Sequence, residues 1–91
     1  MFENISILGA GSWGSALSLA FSNKAKQVEL ICRNIQTVNT INKKKIYPLF
    51  PEINVPSNVV ASESLHESDL IIIALPSESL INVFENLLNE H

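Results

Sequence analysis

The sequence has little cysteine, little basic charge and no long hydrophobic run, and each shortage excludes a class of protein. A single cysteine among 91 residues, Cys32, excludes an internal disulfide and favours a reducing compartment, so we expect a cytoplasmic protein. The formal net charge of −3 gives no basic surface, so we expect no nucleic-acid partner. The longest apolar run, at 70–75, is too short to span a bilayer. No positive segment precedes the first apolar stretch, so we expect no signal peptide either.

Glycine is equally scarce, and its placement is informative. The only three glycines, Gly9, Gly11 and Gly14, lie within the stretch GAGSWG. A short apolar run at 5–8 predicts a buried strand before this stretch. Apolar residues at helical spacing predict that one face of an amphipathic helix follows it: Trp13, Ala16, Leu17, Ala20 and Phe21.

A G-x-G-x-x-G stretch between a strand and a helix is typical of a dinucleotide-binding turn. In that interpretation Gly9 permits the tight turn, Gly11 lets a pyrophosphate approach bare backbone, and Gly14 lets the helix pack closely. The helix N-terminus would offer unpaired N–H groups to the phosphates, and Ser12 a hydroxyl. A strand-to-helix turn without a ligand is the alternative.

The rest of the chain continues the alternation of strands and helices. Strands are predicted at 28–32, 59–61 and 70–75, the last as a strand covered on both faces. Between these strands the sequence predicts a helix that is capped by Asn34 and carries Ile35, Val38 and Ile41. It then predicts an ordered extended loop at 46–58 and a helical turn after Ser64. A last helix is predicted after Ser77. This order predicts an α/β fold with a Rossmann-like parallel sheet and flanking helices, incomplete because only its first four strands are present.

The end of the second predicted strand bears on the choice of cofactor. A carboxylate there usually holds the ribose 2′-OH of NAD, whereas this chain has Arg33, followed by Asn34. An arginine can pair with a 2′-phosphate, so the sequence favours NADP, with NAD still open. A solvated surface arginine is the alternative for Arg33. Similarly, Trp13 is a core aromatic, a neighbour of the cofactor, or both, since an indole has an apolar body and a polar N–H. Ser77 is either a helix cap or a ligand contact.

Several stretches together resemble one family. They are GAGSWGSAL, CRN, LFPEINVPSNVVAS and SDLIIIALPSESL, in that order, and they cover almost the whole chain. The chain resembles the N-terminal portion of bacterial NAD(P)-dependent glycerol-3-phosphate dehydrogenase. One departure is Glu52, which stands where that family usually has glycine. The resemblance makes residues 1–91 a partial N-terminal dinucleotide-binding domain without the substrate domain.

The resemblance also implies a reaction and a set of contacts. The reaction is reversible hydride transfer between dihydroxyacetone phosphate and sn-glycerol 3-phosphate, which feeds phospholipid synthesis. Ser12, Trp13 and Arg33 would contact the cofactor, with Asn34 and Leu49 as further candidates. Leu49 falls where the family often has a tyrosine, and Tyr47 is its possible substitute.

The resemblance places the catalytic machinery elsewhere. No residue of this chain matches the family's catalytic lysine or its substrate-phosphate contacts, and no metal ligands are expected. We therefore expect no dehydrogenase activity from the chain alone, and a phosphorylated substrate only for the full-length enzyme. A homo-oligomer is a further expectation, from an exposed sheet edge. The alternatives are the NADP-binding domain of another dehydrogenase or reductase, and a non-enzymatic dinucleotide-sensing module.

Overall fold

A computed structural model of the protein describes residues 1–75 and contains two β-sheets. The larger sheet has four strands and the smaller one is a two-stranded hairpin. The strands are β1 (Phe2–Leu8), β2 (Ala25–Ile31), β3 (Ile46–Tyr47), β4 (Phe50–Asn54), β5 (Val59–Ser62) and β6 (Leu70–Ile73). The helices are α1 (Ser12–Phe21) and α2 (Ile35–Asn39), with a 3₁₀ turn over Ser22–Lys24 and a π-helical turn over Thr40–Lys44.

The larger sheet has the strand order β5-β2-β1-β6, and all of its pairs are parallel. Ile5 of β1 lies opposite Val28 on one side and Leu70 on the other. From β1 the chain steps outward through β2 to β5 and then returns to the far side of β1 with β6. The predicted Rossmann-like α/β fold with four strands is therefore confirmed.

One face of this sheet carries the hydrophobic core. Strand side chains alternate between faces, so Ile5, Ile7, Val28 and Leu30 share a face, and all four are fully buried. Ile41, from the turn that follows α2, is fully buried with them. The core thus holds the segment of α2 and its following turn against the sheet.

The buried residues of helix α1 are small ones, and only part of its predicted apolar stripe packs against the core. Its buried residues are Gly14, Ser15 and Ser18, whereas Trp13, Ala16 and Ala20 are exposed and only Leu17 and Phe21 are half-buried. The prediction that the apolar residues mark the packed face is wrong for Trp13, Ala16 and Ala20, whereas Leu17 and Phe21 do pack against the core. Small side chains let two backbones come close, and that close approach decides which face packs.

Helix α2 begins as predicted. The Asn34 side-chain oxygen accepts hydrogen bonds from the N–H groups of Gln36 (2.8 Å) and Thr37 (3.4 Å), which makes it the predicted cap. Val38 and Ile41 are buried, but Ile35 is exposed. The following π-helical turn ends at Lys45, which has a left-handed backbone with φ of 58°.

The proline-rich stretch contains more structure than the predicted loop. Strands β3 and β4 pair antiparallel, and neither joins the main sheet. Pro51 is tolerated because it lies in this two-stranded hairpin and not in a central strand. Tyr47 is fully buried and anchors the hairpin, whereas Leu49 at its tip is exposed.

The connection from β5 to β6 is not helical, so the helical turn predicted after Ser64 is wrong. Polar contacts tie this connection to the sheet. His66 Nδ1 lies 2.8 Å from Oε2 of the buried Glu29, and the Ser68 hydroxyl contacts that of Ser6. Asn4 donates to the carbonyl of Glu67 at 2.9 Å. These longer-range bonds engage the segment after Ser64 in place of the local bonds of a helical turn.

Strand β6 forms an edge of the described sheet. Its alternate residues Ile71 and Ile73 are 46% and 39% exposed, so within the described residues it is not covered on both faces as predicted. The helix predicted after Ser77 lies outside the described residues. No helix of the described part is long and apolar enough to cross a membrane.

The buried thiol at the end of β2 gives a test of the core. Burial, with a smaller contribution from the charge of Glu63, raises the pKa of Cys32 to about 11 from 9.0. A protonated thiol is a poor nucleophile. We expect iodoacetamide to label folded Cys32 at pH 8 far more slowly than the chain in guanidinium, measured by intact mass. Equal labelling rates would contradict the burial.

The same raised pKa predicts a direction for stability. The folded state holds the proton more tightly than the unfolded state, so its contribution is complete below pH 9.0 and is lost as the pH rises toward about 11. We expect the midpoint of urea unfolding to fall over this interval, and to fall less in Cys32→Ala.

Candidate functional site

A cleft of about 580 Å³ opens where β1 and β6 end. Residues 11–13 and Leu17 line one wall, and residues 73–75 line the other. The strand order reverses between β1 and β6, because β2 and β5 lie on one side of β1 and β6 on the other. Ligands of open α/β sheets bind outside the carboxyl ends of the strands at such a point.

Two of the three glycines are required by the fold of the turn itself. Gly9 has φ of +110°, which side chains rarely tolerate, and a Cβ there would lie 2.5 Å from the carbonyl oxygen of Ala74. A Cβ on Gly14 would overlap the carbonyl oxygen of Gly9. Gly9 also donates its N–H to Ile31 at 2.9 Å, which ties the turn to β2. The roles predicted for Gly9 and Gly14 therefore match the geometry.

Gly11 has a different environment. A Cβ built there meets no atom within 4 Å, and the backbone has an extended conformation that other residues can adopt. The turn itself therefore does not require glycine at this position. Bare backbone facing open space at a helix start is what a close approach by a phosphate needs.

The start of α1 leaves backbone donors available. Gly11 is its N-cap residue, and within the described part of the chain no side chain caps it. The first intrahelical bond runs from the N–H of Ser15 to the carbonyl of Gly11 (2.9 Å), so the N–H groups of Ser12, Trp13 and Gly14 precede the ladder. Together with the positive end of the helix dipole, these donors favour an anion. The residues present thus fit a pyrophosphate.

Trp13 and Ser12 stand at the mouth of the cleft. Trp13 is 73% exposed, so of its two interpretations the core aromatic is wrong within the described residues. Ser12 is exposed beside it, and both line the cleft. A large exposed indole with its own N–H donor is suited to an amphipathic ligand.

Arg33 and Asn34 lie past the end of β2, the strand next to β1 in the sheet. Both are exposed, and within residues 1–75 Arg33 makes no ion pair. The Asn34 side-chain oxygen is engaged as the cap of α2. Arg33 therefore presents its charge to solvent at the same edge of the sheet as the glycine turn.

The remaining candidates are not gathered at the cleft. Leu49 is 57% exposed at the tip of the β3–β4 hairpin and does not line the cleft. Its alternative, Tyr47, is fully buried, and its hydroxyl lies 2.6 Å from that of Ser18. Burial raises the pKa of Tyr47, and the bond to Ser18 opposes that rise. Ser77 lies outside the described residues.

Sequence reasoning missed two polar contacts. The Ser18–Tyr47 bond joins residues far apart in the chain, and Ser18 sits within an apolar helical pattern. His66 likewise pairs with Glu29, which lies in β2 and is far from it in the chain. No group of three His, Cys, Asp or Glu residues suited to a metal ion occurs among the described residues.

A parallel sheet with this strand order and a glycine turn at the switch point defines a dinucleotide-binding α/β protein. The particular family follows from sequence comparison. Residues 4–91 match the family described as "NAD-dependent glycerol-3-phosphate dehydrogenase N-terminus". The chain belongs to this family, as the resemblance predicts.

Curated relatives agree with this assignment. "Glycerol-3-phosphate dehydrogenase [NAD(P)+]" of Wolbachia sp. subsp. Drosophila simulans is 38% identical over 88 residues, which is 93% of this chain and 27% of the relative. Enzymes with the same name are 31% identical in Zymomonas mobilis, over 98% of this chain and 27% of the relative, and 30% identical in Halalkalibacterium halodurans, over 93% and 26%. The chain therefore spans about a quarter of the length of these relatives.

The glycines give a matched pair of substitutions. Gly14→Ala forces a Cβ into the Gly9 carbonyl and should cost about 3 kcal/mol of stability, at the upper end of overpacking effects. Gly11→Ala meets open space and should cost under about 1 kcal/mol, because alanine is a weaker N-cap residue than glycine. Urea unfolding followed by circular dichroism measures both.

Gly11→Ala should have a large effect on cofactor binding although its effect on stability is small. Gly11→Ala stays folded but places a methyl group where a phosphate would approach, so its affinity for NADP should fall at least about tenfold. Calorimetric titration measures this fall. Unchanged affinity in Gly11→Ala would show that the phosphate does not contact this position.

Proposed function

We propose that residues 1–91 form the N-terminal part of a dinucleotide-binding domain that prefers NADP and also accepts NAD. The supporting observation is the open backbone at Gly11 beside an uncapped helix start in the described chain. This combination leaves donors and space together at the switch point of the sheet. The relatives named above carry NAD(P)+ in their names, which is consistent with use of either cofactor.

In this proposal each cleft residue has a physical role. Gly9 and Gly14 shape the turn, and Gly11 with the N–H groups of Ser12 and Trp13 binds the pyrophosphate. The Trp13 indole covers the outer side of the cofactor and limits the access of water. When bound, the nicotinamide supplies the hydride chemistry, and the protein supplies position and electrostatics.

Arg33 is the proposed source of the NADP preference. Its exposed guanidinium makes no ion pair within residues 1–75, so it is available to a 2′-phosphate. A guanidinium can form two parallel hydrogen bonds with a phosphate, whereas the 2′-OH of NAD offers it no charge. Asn34 retains its amide N–H₂ for a weaker contact while its oxygen caps α2.

The activity of the whole protein is proposed from the family. It is reversible hydride transfer between dihydroxyacetone phosphate and sn-glycerol 3-phosphate. The phosphorylated substrate would be bound by the regions of the family's enzymes to which this chain does not align. A cytoplasmic location, a homo-oligomer, and the absence of dehydrogenase activity in the isolated chain remain predictions. Cofactor contacts from Leu49 and Ser77 are also still predictions.

Charge reversal at Arg33 tests the cofactor preference. Arg33→Asp should weaken NADP binding about tenfold or more, because a carboxylate repels the 2′-phosphate. The same change should leave NAD binding equal or tighter, because a carboxylate can accept from the ribose 2′-OH. Calorimetric titration of both cofactors against both proteins gives the ratio.

Lys24→Asp is the matched control. It makes the same charge change at an exposed site in the 3₁₀ turn before β2, at the opposite end of that strand from Arg33. It should weaken NADP and NAD binding equally and only slightly. Equal affinities for the two cofactors in the wild type and in Arg33→Asp would remove Arg33 from the site.

A further inference from the structure

Three buried side chains connect the β3–β4 hairpin to the glycine turn. The Tyr47 hydroxyl lies 2.6 Å from that of Ser18, and the Ser18 hydroxyl donates to the Ser15 carbonyl at 2.8 Å. The Ser15 hydroxyl in turn donates to the carbonyl of Ala10 at 3.3 Å. Tyr47, Ser15 and Ser18 are all fully buried. Polar groups in this setting keep their partners because a lost bond leaves a desolvated group.

The direction of these bonds follows from the available protons. Ser18 has one hydroxyl proton, and that proton goes to the Ser15 carbonyl. Its oxygen is therefore the acceptor in the bond with Tyr47, and the Tyr47 hydroxyl is the donor. Tyr47 thereby holds Ser18, and Ser18 holds the backbone of the first turn of α1. Ser15 lies in that turn and reaches back to the glycine turn.

The last bond controls the orientation of one peptide group. The peptide joining Ala10 to Gly11 is planar and trans, so its C=O and N–H point in opposite directions. Ser15 draws the Ala10 carbonyl toward the buried side of α1. The Gly11 N–H must then point away from that side. A Cβ built on Gly11 meets no atom within 4 Å, so a ligand can approach this residue.

We infer that Tyr47, Ser18 and Ser15 are positioning residues that orient the Gly11 N–H for the cofactor phosphates without touching the cofactor. The inference rests on the proposed function and extends it from the cleft into the buried interior. Without the Ser15 bond the peptide is free to rotate, and binding must then supply the ordering that the fold supplies here. The β3–β4 hairpin thus acts on the site through Tyr47, although its exposed tip does not line the cleft.

Two substitutions that keep the packing test this inference in the 91-residue chain. Ser15→Ala removes the bond to Ala10, and Tyr47→Phe removes the hydroxyl that holds Ser18. Each should weaken NADP binding about threefold to tenfold in calorimetric titration, as expected for the loss of one oriented hydrogen bond. The double variant should lose less than the product of the two single losses, because both act on the same peptide.

Ser22→Ala, at the C-cap of the same helix, is the matched control. Its hydroxyl donates to the Leu19 carbonyl three residues earlier at 2.9 Å, as that of Ser18 does to Ser15. It lies beyond the far end of α1 from the glycine turn. Ser22→Ala should lose comparable stability in urea unfolding but keep its affinity for NADP. Equal loss of affinity in all the variants would indicate a general effect of helix stability and would overturn the inference.

A ligand-free readout separates this inference from the proposed function. A hydrogen bond to the Ala10 carbonyl polarises the peptide, so the ¹⁵N chemical shift of Gly11 should change in Ser15→Ala and Tyr47→Phe and stay unchanged in Ser22→Ala. An unchanged Gly11 shift in the first two variants would overturn the inference. Absence of NADP binding by the wild type would instead overturn the proposed function, whatever the shifts.

Discussion

The contact between the backbones of Gly14 and Gly9 determines how α1 sits on the sheet. A side chain on Gly14 would overlap the carbonyl oxygen of Gly9, so only glycine lets the helix start this close to the end of β1. This approach directs the helix start at the switch point between β1 and β6. It also explains why α1 packs through Gly14, Ser15 and Ser18, since larger side chains on that face would hold the helix away.

The position of α1 on the sheet therefore determines both the buried contacts of the helix and the geometry of the site. On its buried side α1 brings the hydroxyls of Ser15 and Ser18 into contact with Tyr47 and the glycine turn. On its open side a Cβ built on Gly11 would meet no atom within 4 Å, and no side chain among residues 1–75 caps the helix start. A pre-organised anion site needs both features: buried contacts that hold the backbone donors in place and open space in which the anion can bind.

Local sequence patterns predicted the features that depend on neighbouring residues. The glycine turn, the Asn34 cap and the four parallel strands each lie within a few residues of their signal, and the structure contains all of them. Features that depend on distant partners were not predictable in this way. The connection between β5 and β6 forms no helix because Glu29, from β2, pairs with His66. The buried face of α1 was missed because hydropathy counts apolar residues and not the closeness of two backbones.

The central claim is that the phosphates of the dinucleotide bind at Gly11 and the start of α1. A crystal structure of the chain with NADP bound tests it most directly. The account predicts pyrophosphate oxygens within hydrogen-bond distance of the N–H groups of residues 11–13, and the 2′-phosphate beside Arg33. A cofactor bound elsewhere, with the cleft between β1 and β6 filled only by water, would contradict it.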